Sequence, residues 1–128
     1  MEIHESAENY LEAILALSEK GSVRSIDVAQ HLGFSKPSVS RAMSLLRDNG
    51  YVVMDENSFL VLTPAGREIA ETIYERHRLL SSWLVELGVD PQVAAEDACR
   101  MEHVISAESF DAIKHHVELR YAQAKGEA

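Results

Sequence analysis

A thiol, a carboxylate and an imidazole occur within five residues in the C-terminal half of the chain. Cys99 precedes Glu102 by three residues and His103 by four, and in a helix these spacings place the three side chains on one face. A single ion could therefore contact all three. Magnesium and calcium prefer shells of oxygen, whereas mixed sulfur, oxygen and nitrogen donors suit a transition metal. Three donors leave the shell incomplete, so further ligands are expected from elsewhere in the chain.

Three other polar residues are candidates to complete that shell. Asn9 and Glu12 share one face of the helix predicted over 6–19, although polar pairs of this kind are also typical of a solvated helix surface. His77 lies in the middle of the long helix predicted over 63–87. A lone helical histidine is more often a surface or packing residue than a ligand. The residues by themselves leave both interpretations open.

The segment 25–50 predicts a helix, a tight turn and a second helix. Ser25 is the expected N-cap of the first helix, Gly33 supplies the break, and Pro37 suits the first turn of the second. The outward positions of the second helix carry only hydroxyls and cations: Lys36, Ser38, Ser40, Arg41, Ser44 and Arg47. Between 36 and 47 the charge is one Lys plus two Arg with no acid, or +3.

That acid-free face favours a major-groove reader over a helical pair used only for packing, because packing gives no reason to exclude acids. Hydroxyls and helix-start N–H groups can bind phosphates, and long donors can reach base edges. The candidates for DNA contact are Ser35, Lys36, Pro37, Ser38, Ser40 and Arg41. Two β-rich runs at 51–54 and 59–63 predict a hairpin, which in this position is the wing of a winged helix-turn-helix. Its acidic tip is a poor phosphate clamp.

The remainder of the chain predicts helices only. After the long helix, Asp90 and Pro91 begin another, and a last helix extends from 107 to about 121, followed by a frayed tail over 122–128. The apolar residues Leu79, Leu80 and Trp83 offer more surface than one small half-domain buries, which indicates a dimer interface. The fold is therefore expected to be mainly α, with a DNA-binding domain over 1–63 and a helical domain over 64–128.

Composition narrows the possible classes. With 128 residues and 46% hydrophobic residues, the chain can bury a core. It has no apolar run long enough for a membrane span and an acidic N-terminus unlike a signal peptide, so a cytoplasmic protein is expected. A single cysteine excludes an internal disulfide. The net charge of −9 argues against a nucleic-acid partner overall, but the +3 helix face shows that location matters more than the sum.

The order of these elements resembles the diphtheria toxin repressor family of metal-dependent transcriptional repressors. The runs Glu8–Glu12 and Cys99–Ser106 carry the most specific part of a likeness that covers nearly the whole chain. The resemblance implies a winged helix-turn-helix followed by an α-helical metal-binding and dimerisation domain. It also implies no SH3-like domain, which the iron-responsive branch of the family adds and the shorter manganese-responsive branch lacks.

The resemblance also implies roles for individual residues. Glu102 and His103 fall on positions that bind metal in both branches. Cys99 matches the iron type, where the manganese type has Glu, while Glu12 and His77 match the two-ion site of the manganese type.

Three positions depart from the family pattern. Asn9 stands where the family uses Met or a carboxylate, and Ser81 and Ala95 stand where the iron branch places ligands of a second site. The expected site is therefore one ion held by Cys99, Glu102 and His103 and completed by Asn9, Glu12 or His77. Two ions sharing Glu102 remain an alternative.

The thiolate of Cys99 determines which metal we expect this site to prefer. Replacing a carboxylate with a thiolate favours Fe(II), Co(II) or Zn(II) over Mn(II), which is lowest in the Irving–Williams order. We expect Fe(II) first and Mn(II) second, with Co(II), Ni(II) or Zn(II) binding in vitro. By resemblance, the loaded homodimer would bind double-stranded operator DNA and repress metal-uptake genes.

Two other functions compete with this interpretation. A winged-helix regulator could respond to an organic ligand, or to redox state through Cys99. A metallohydrolase could use Glu102 as a base, but no nucleophile motif or Gly-rich phosphate loop supports an enzyme.

Overall fold

The computed structural model describes residues 5–124 and 126, and this part of the chain is mainly α-helical, as predicted. Its elements in order are α1 (Glu5–Ser18), α2 (Ser25–Leu32), α3 (Lys36–Asp48), β1 (Val52–Met54), β2 (Leu60–Leu62), α4 (Pro64–Glu86), α5 (Pro91–Val104) and α6 (Ala107–Ala124). The chain divides into two compact units, Met1–Tyr74 and Glu75–Ala128. The division falls inside α4. The assignment of the DNA-binding and metal-binding functions to 1–63 and 64–128 stays a prediction.

The N-terminal unit is built around one apolar core to which α1, α2, α3 and the hairpin all contribute. Leu11 and Ile14 of α1 are fully buried, and they lie one helical turn apart on its inward face. Val28 of α2, Val39 of α3 and Val52 of β1 are equally inaccessible to solvent. The apolar spacing in the sequence therefore identified the faces that pack together.

The helix-turn-helix is confirmed, with one local correction. Gly33 adopts the left-handed conformation (φ 72°) that ends α2, and Ser35 caps α3 by accepting a hydrogen bond from the Ser38 N–H at 3.3 Å. The prediction that Ser25 caps α2 is wrong. Arg24 occupies that position, and its N–H donates to the Asp27 carboxylate at 2.9 Å. Because the Asp27 carboxylate accepts a hydrogen bond from the N–H at the start of α2, a hydroxyl at the cap is not required.

The predicted hairpin is present as an antiparallel pair in which Val52 faces Leu62 and Met54 faces Leu60. Asp55 organises its tip, because one carboxylate oxygen accepts from the N–H groups of Asn57 (2.8 Å) and Phe59 (3.0 Å). The acidic residue that weakens the tip as a phosphate clamp is thus the residue that shapes the turn.

The first turn of α4 is joined to the base of the hairpin by close contacts. The Thr63 hydroxyl donates to the Gly50 carbonyl at 2.6 Å and accepts from the Gly66 N–H at 3.1 Å. A Cβ at Gly66 would overlap the Tyr51 carbonyl group, lying 2.9 Å from its carbon. Only glycine permits this approach.

The C-terminal unit packs the second half of α4 with α5 and α6. Leu80, Ala98 and Phe110, one from each helix, form its buried centre, and Leu79 and Trp83 are half-buried against it. Leu80 therefore belongs to the core of this unit rather than to an exposed interface. The large apolar residues exposed in this unit are Val85, Leu87, Val93, Val104, Leu119 and Tyr121.

The helix ends match the prediction closely in this unit. Asp90 caps α5 by accepting from the Gln92 N–H at 3.1 Å, and Ser106 accepts from the Ser109 N–H at 3.0 Å at the start of α6. Helix α6 continues to Ala124, past the predicted end near 121. Of the predicted frayed tail and acidic N-terminus, residues 125, 127 and 128 and residues 1–4 lie outside the described part. Among the described helices, none is long and apolar enough to cross a membrane.

Candidate metal centre and nucleic-acid interface

Helix α5 brings the predicted cluster together. Ala94 and Ala98 on one face of α5 are fully buried and fix how the helix packs in its unit. The potential ligand atoms of Cys99, Glu102 and His103 then lie within 4.8 Å of one another. An ion with bonds of about 2.0–2.3 Å to each donor can close that separation with small side-chain rotations. It is the one such group of three or more residues in the part of the chain that the structure describes.

Glu102 is the centre of this cluster and is completely buried. Its Oε2 atom lies 2.9 Å from His77 Nδ1, whereas Oε1 makes no hydrogen bond. His103 Nε2 lies 3.4 Å from Oε1, and the His103 side chain is itself buried. A buried carboxylate is costly unless its oxygens are paired with donors or a cation. The geometry therefore leaves one oxygen suited to a metal bond.

His77 reaches the cluster through Glu102. It lies on α4, 25 residues earlier in sequence, and its side chain is one-third exposed. A hydrogen bond to a carboxylate ligand orients that ligand and adjusts its basicity. The structure thus joins four of the six predicted metal residues in one unit.

The two remaining candidates, Asn9 and Glu12, belong to the N-terminal unit. Both are half-buried on α1. Ser81 and Ala95, which replace second-site ligands of the iron branch, are half-buried in the C-terminal unit. The roles of Asn9 and Glu12 as ligands stay predictions.

The sequence analysis assigned no role to Arg76, although the structure gives it several contacts. Its Nη1 donates to the carbonyl oxygens of Glu102 and Ile105, both at 3.1 Å. The guanidinium also lies over the Phe110 ring, with its Cζ 5.5 Å from the ring centroid. Its position immediately before His77 is the one signal in the sequence that could have pointed to it.

The donor set fits a divalent transition metal. A thiol, a carboxylate and an imidazole offer sulfur, oxygen and nitrogen, and Cys99 is exposed, so an ion has a route to the group. The buried oxygen of Glu102 without a hydrogen bond is the observation that favours a cation over a purely structural network.

Helix α3 presents the predicted nucleic-acid face in the N-terminal unit. Val39, Met43 and Leu46 are buried on its inner side. Lys36, Pro37, Ser40 and Arg41 are exposed, and so is Ser35, while Ser38 is half-buried. The Ser35 hydroxyl donates to Ser38 Oγ at 2.8 Å. The start of the helix therefore displays cations, hydroxyls and N–H groups together, a surface suited to phosphate.

Two family models match the chain. "Iron dependent repressor, N-terminal DNA binding domain" matches residues 2–58, and "Iron dependent repressor, metal binding and dimerisation domain" matches residues 63–120.

Curated relatives and solved structures agree with these models. Transcriptional regulator MntR of Salmonella typhimurium is 38% identical over 109 residues, which are 84% of this chain and 69% of that protein. The MntR regulator of Listeria monocytogenes is 37% identical over 84% of this chain and 77% of its own length. A manganese-dependent transcriptional repressor in complex with manganese is 30% identical, with a TM-score of 0.79 over 88% of this chain and 52% of that one. The manganese regulator SloR has the same TM-score at 26% identity, and the match covers 92% of this chain and 55% of that one.

Proposed function

The chain belongs to the diphtheria toxin repressor family of metal-dependent transcriptional regulators, and from this premise we propose that Cys99, Glu102 and His103 hold the regulatory metal. The observation that carries the proposal is the buried Glu102 oxygen that makes no hydrogen bond beside these two donors. Since the family consists of transcriptional regulators and not enzymes, the metallohydrolase alternative is wrong.

The preferred metal in this proposal is Fe(II), with Mn(II) second. Cys99 supports this order, because a thiolate binds Fe(II), Co(II) and Zn(II) better than Mn(II). The similar proteins named for manganese support the second candidate. Co(II), Ni(II) and Zn(II) are expected to bind in vitro.

Glu12, His77 and Asn9 are proposed to complete the shell. The contact between His77 and Glu102 supports His77 either as a ligand or as the group that orients the carboxylate. Glu12 and Asn9 rest on their spacing and on the family pattern. Because they belong to the unit that carries α3, their participation would couple metal occupancy to the DNA-binding unit.

The residues of the cluster have defined tasks in the proposed switch. When bound, the metal supplies positive charge that offsets the Cys99 thiolate and the Glu102 carboxylate. Glu102 would offer the metal its buried Oε1, which makes no hydrogen bond, and His103 would offer a neutral ring nitrogen. A metal held by these residues would raise the population of the DNA-competent homodimer, whose recognition helices must match major grooves about 34 Å apart. By linkage, DNA tightens metal binding by the same factor.

Ser35, Lys36, Pro37, Ser38, Ser40 and Arg41 are proposed to contact operator DNA upstream of metal-uptake genes. Lys36 and Arg41 are exposed cations on a face without acids. The family model matched over 2–58 supports this use of α3.

Fluorescence anisotropy on DNA from upstream of the chain's own gene and of nearby transporter genes tests the proposal. The protein is titrated anaerobically with Fe(II), Mn(II), Zn(II) or chelator. We expect binding only with metal, its loss in Cys99→Ala and Glu102→Gln, and its retention in the control His115→Ala, which changes an exposed imidazole on α6. Equal binding with chelator contradicts the proposal. If chelator has no effect but oxidation of the thiol does, Cys99 is a redox sensor instead.

A further inference from the structure

Arg76 holds the end of α5 from which two of the three clustered donors project. Helix α5 ends at Val104, and the last carbonyl groups of any helix lack partners within it. Arg76 donates from one nitrogen to the carbonyls of Glu102 and Ile105, both at 3.1 Å. Its positive charge also lies at the negative end of the α5 dipole.

Two consecutive residues of α4 therefore contact Glu102, one at its backbone carbonyl and one at its carboxylate. Arg76 binds its backbone carbonyl, and His77 lies 2.9 Å from its carboxylate. The Phe110 ring of α6 lies under the guanidinium, with its centroid 5.5 Å from Arg76 Cζ. The position of the Glu102 carboxylate relative to His77 is thus set by a contact to its main chain as well as to its side chain.

We propose that Arg76 is a positioning residue for the metal centre, because it fixes the last turn of α5 against α4 and so places the Glu102 carboxylate beside His77. This inference rests on the proposed function and goes beyond it, because Arg76 binds no metal itself. Cys99 lies one turn earlier, where α5 makes its own hydrogen bonds. Loss of Arg76 should therefore disturb Glu102 and His103 more than Cys99.

Co(II) titration of the full chain tests this inference, using Arg76→Met and Arg76→Lys. We expect about 10- to 100-fold weaker Co(II) binding in Arg76→Met, the usual effect of removing a group that orients metal ligands. The thiolate charge-transfer band, which reports Cys99, should persist at saturation while the visible d–d bands change. Arg76→Lys should fall between, because an ammonium keeps donors for the two carbonyls but loses the planar guanidinium that lies over the Phe110 ring. In metal-free protein, the ¹⁵N shifts of the His77 imidazole should also move in both variants.

Lys114→Met is the matched control, because Lys114 makes a contact from α6 to Glu75 of α4 at 2.6 Å without touching Glu102. It should bind Co(II) as the wild type does. The inference is overturned if Arg76→Lys keeps the wild-type Co(II) affinity and spectrum. It is also overturned if Lys114→Met loses as much Co(II) affinity as the Arg76 variants do. If Arg76→Met does not fold, the Co(II) affinity and spectrum of Arg76→Lys test the inference by themselves. If the wild type binds Co(II) through Cys99 and the Arg76 variants bind it equally well, only this inference is overturned. If the wild type binds no metal, the proposed function is overturned as well.

Discussion

Glu102 and His77 are joined by a hydrogen bond of 2.9 Å between Glu102 Oε2 and His77 Nδ1, across two helices and 25 residues of sequence. His77 is the donor when Glu102 is ionised. The contact occupies one carboxylate oxygen and leaves the other beside Cys99 and His103. A carboxylate held in this way is oriented before an ion arrives, which lowers the cost of metal binding.

Glu102→Gln should abolish most metal binding while the metal-free protein stays as stable as the wild type or becomes more stable. The amide keeps the shape of the side chain but removes a buried charge. Thermal unfolding with and without Co(II) measures both effects; wild type at 100 times its Kd should gain about 2.7 kcal/mol. Glu108→Gln, at an exposed acid on α6, is the control. A metal-induced shift of wild-type size in Glu102→Gln contradicts the assigned ligand.

Cys99→Glu should raise the affinity for Mn(II) relative to Co(II) and Zn(II), because oxygen is a harder donor than sulfur. Competition titrations with a metal-sensitive dye give the ratio of affinities. Ala112→Glu adds the same charge at an exposed position of α6 and should leave the ratio unchanged. An unchanged ratio in Cys99→Glu would exclude the thiolate as the source of selectivity.

Arg41→Ala should weaken operator binding. If Arg41 contacts a phosphate, the slope of log K against log salt should fall by about 0.9. If it contacts a base edge, discrimination at one position should fall by about 1–3 kcal/mol with little change in slope. Anisotropy titrations at several salt concentrations separate these outcomes. Arg120 is an exposed cation on α6, and Arg120→Ala should change neither the salt slope nor the base discrimination. If Arg41→Ala binds as the wild type does, Arg41 is not part of the interface.

Gly66→Ala should destabilise the N-terminal unit by about 1–3 kcal/mol, because the new methyl group overlaps the Tyr51 carbonyl and the backbone must shift. Urea denaturation monitored by circular dichroism measures the loss. Ala65→Ser, at an exposed neighbouring site, should have little effect. If Gly66→Ala matches the wild type, α4 does not approach Tyr51 this closely in solution.

Lys114→Gln should lower thermal stability slightly at neutral pH and not at all at strongly alkaline pH. The hydrogen bond and charge of Glu75 raise the pKa of Lys114 above its ordinary value of 10.5. A raised pKa contributes stability below 10.5 that is lost as the pH rises through the folded-state pKa. Melting curves of both proteins at pH 7 to 12 should therefore converge only above about 10.5, and a difference that persists there contradicts the assigned cause.

The α3 face and the Cys99 cluster were predictable because both depend on local periodicity. The apolar positions of α3 repeat every three or four residues, so the outward Lys36 and Arg41 followed directly. Cys99, Glu102 and His103 lie within five residues of one helix. Helix ends followed from Asp90 and Ser106, although at α2 a competing bond from Asp27 replaced the expected cap at Ser25.

The sequence alone thus determined which helices form, which faces are apolar and which three donors share a turn, because contacts over three or four residues are set by helix geometry. Only the tertiary structure decided that Glu102 is buried, that His77 meets its carboxylate and that Arg76 holds its carbonyl. It also placed Leu80 in the core rather than on an exposed surface. These features depend on how α4, α5 and α6 pack, and the spacing of residues along one helix carries no information about the register between helices.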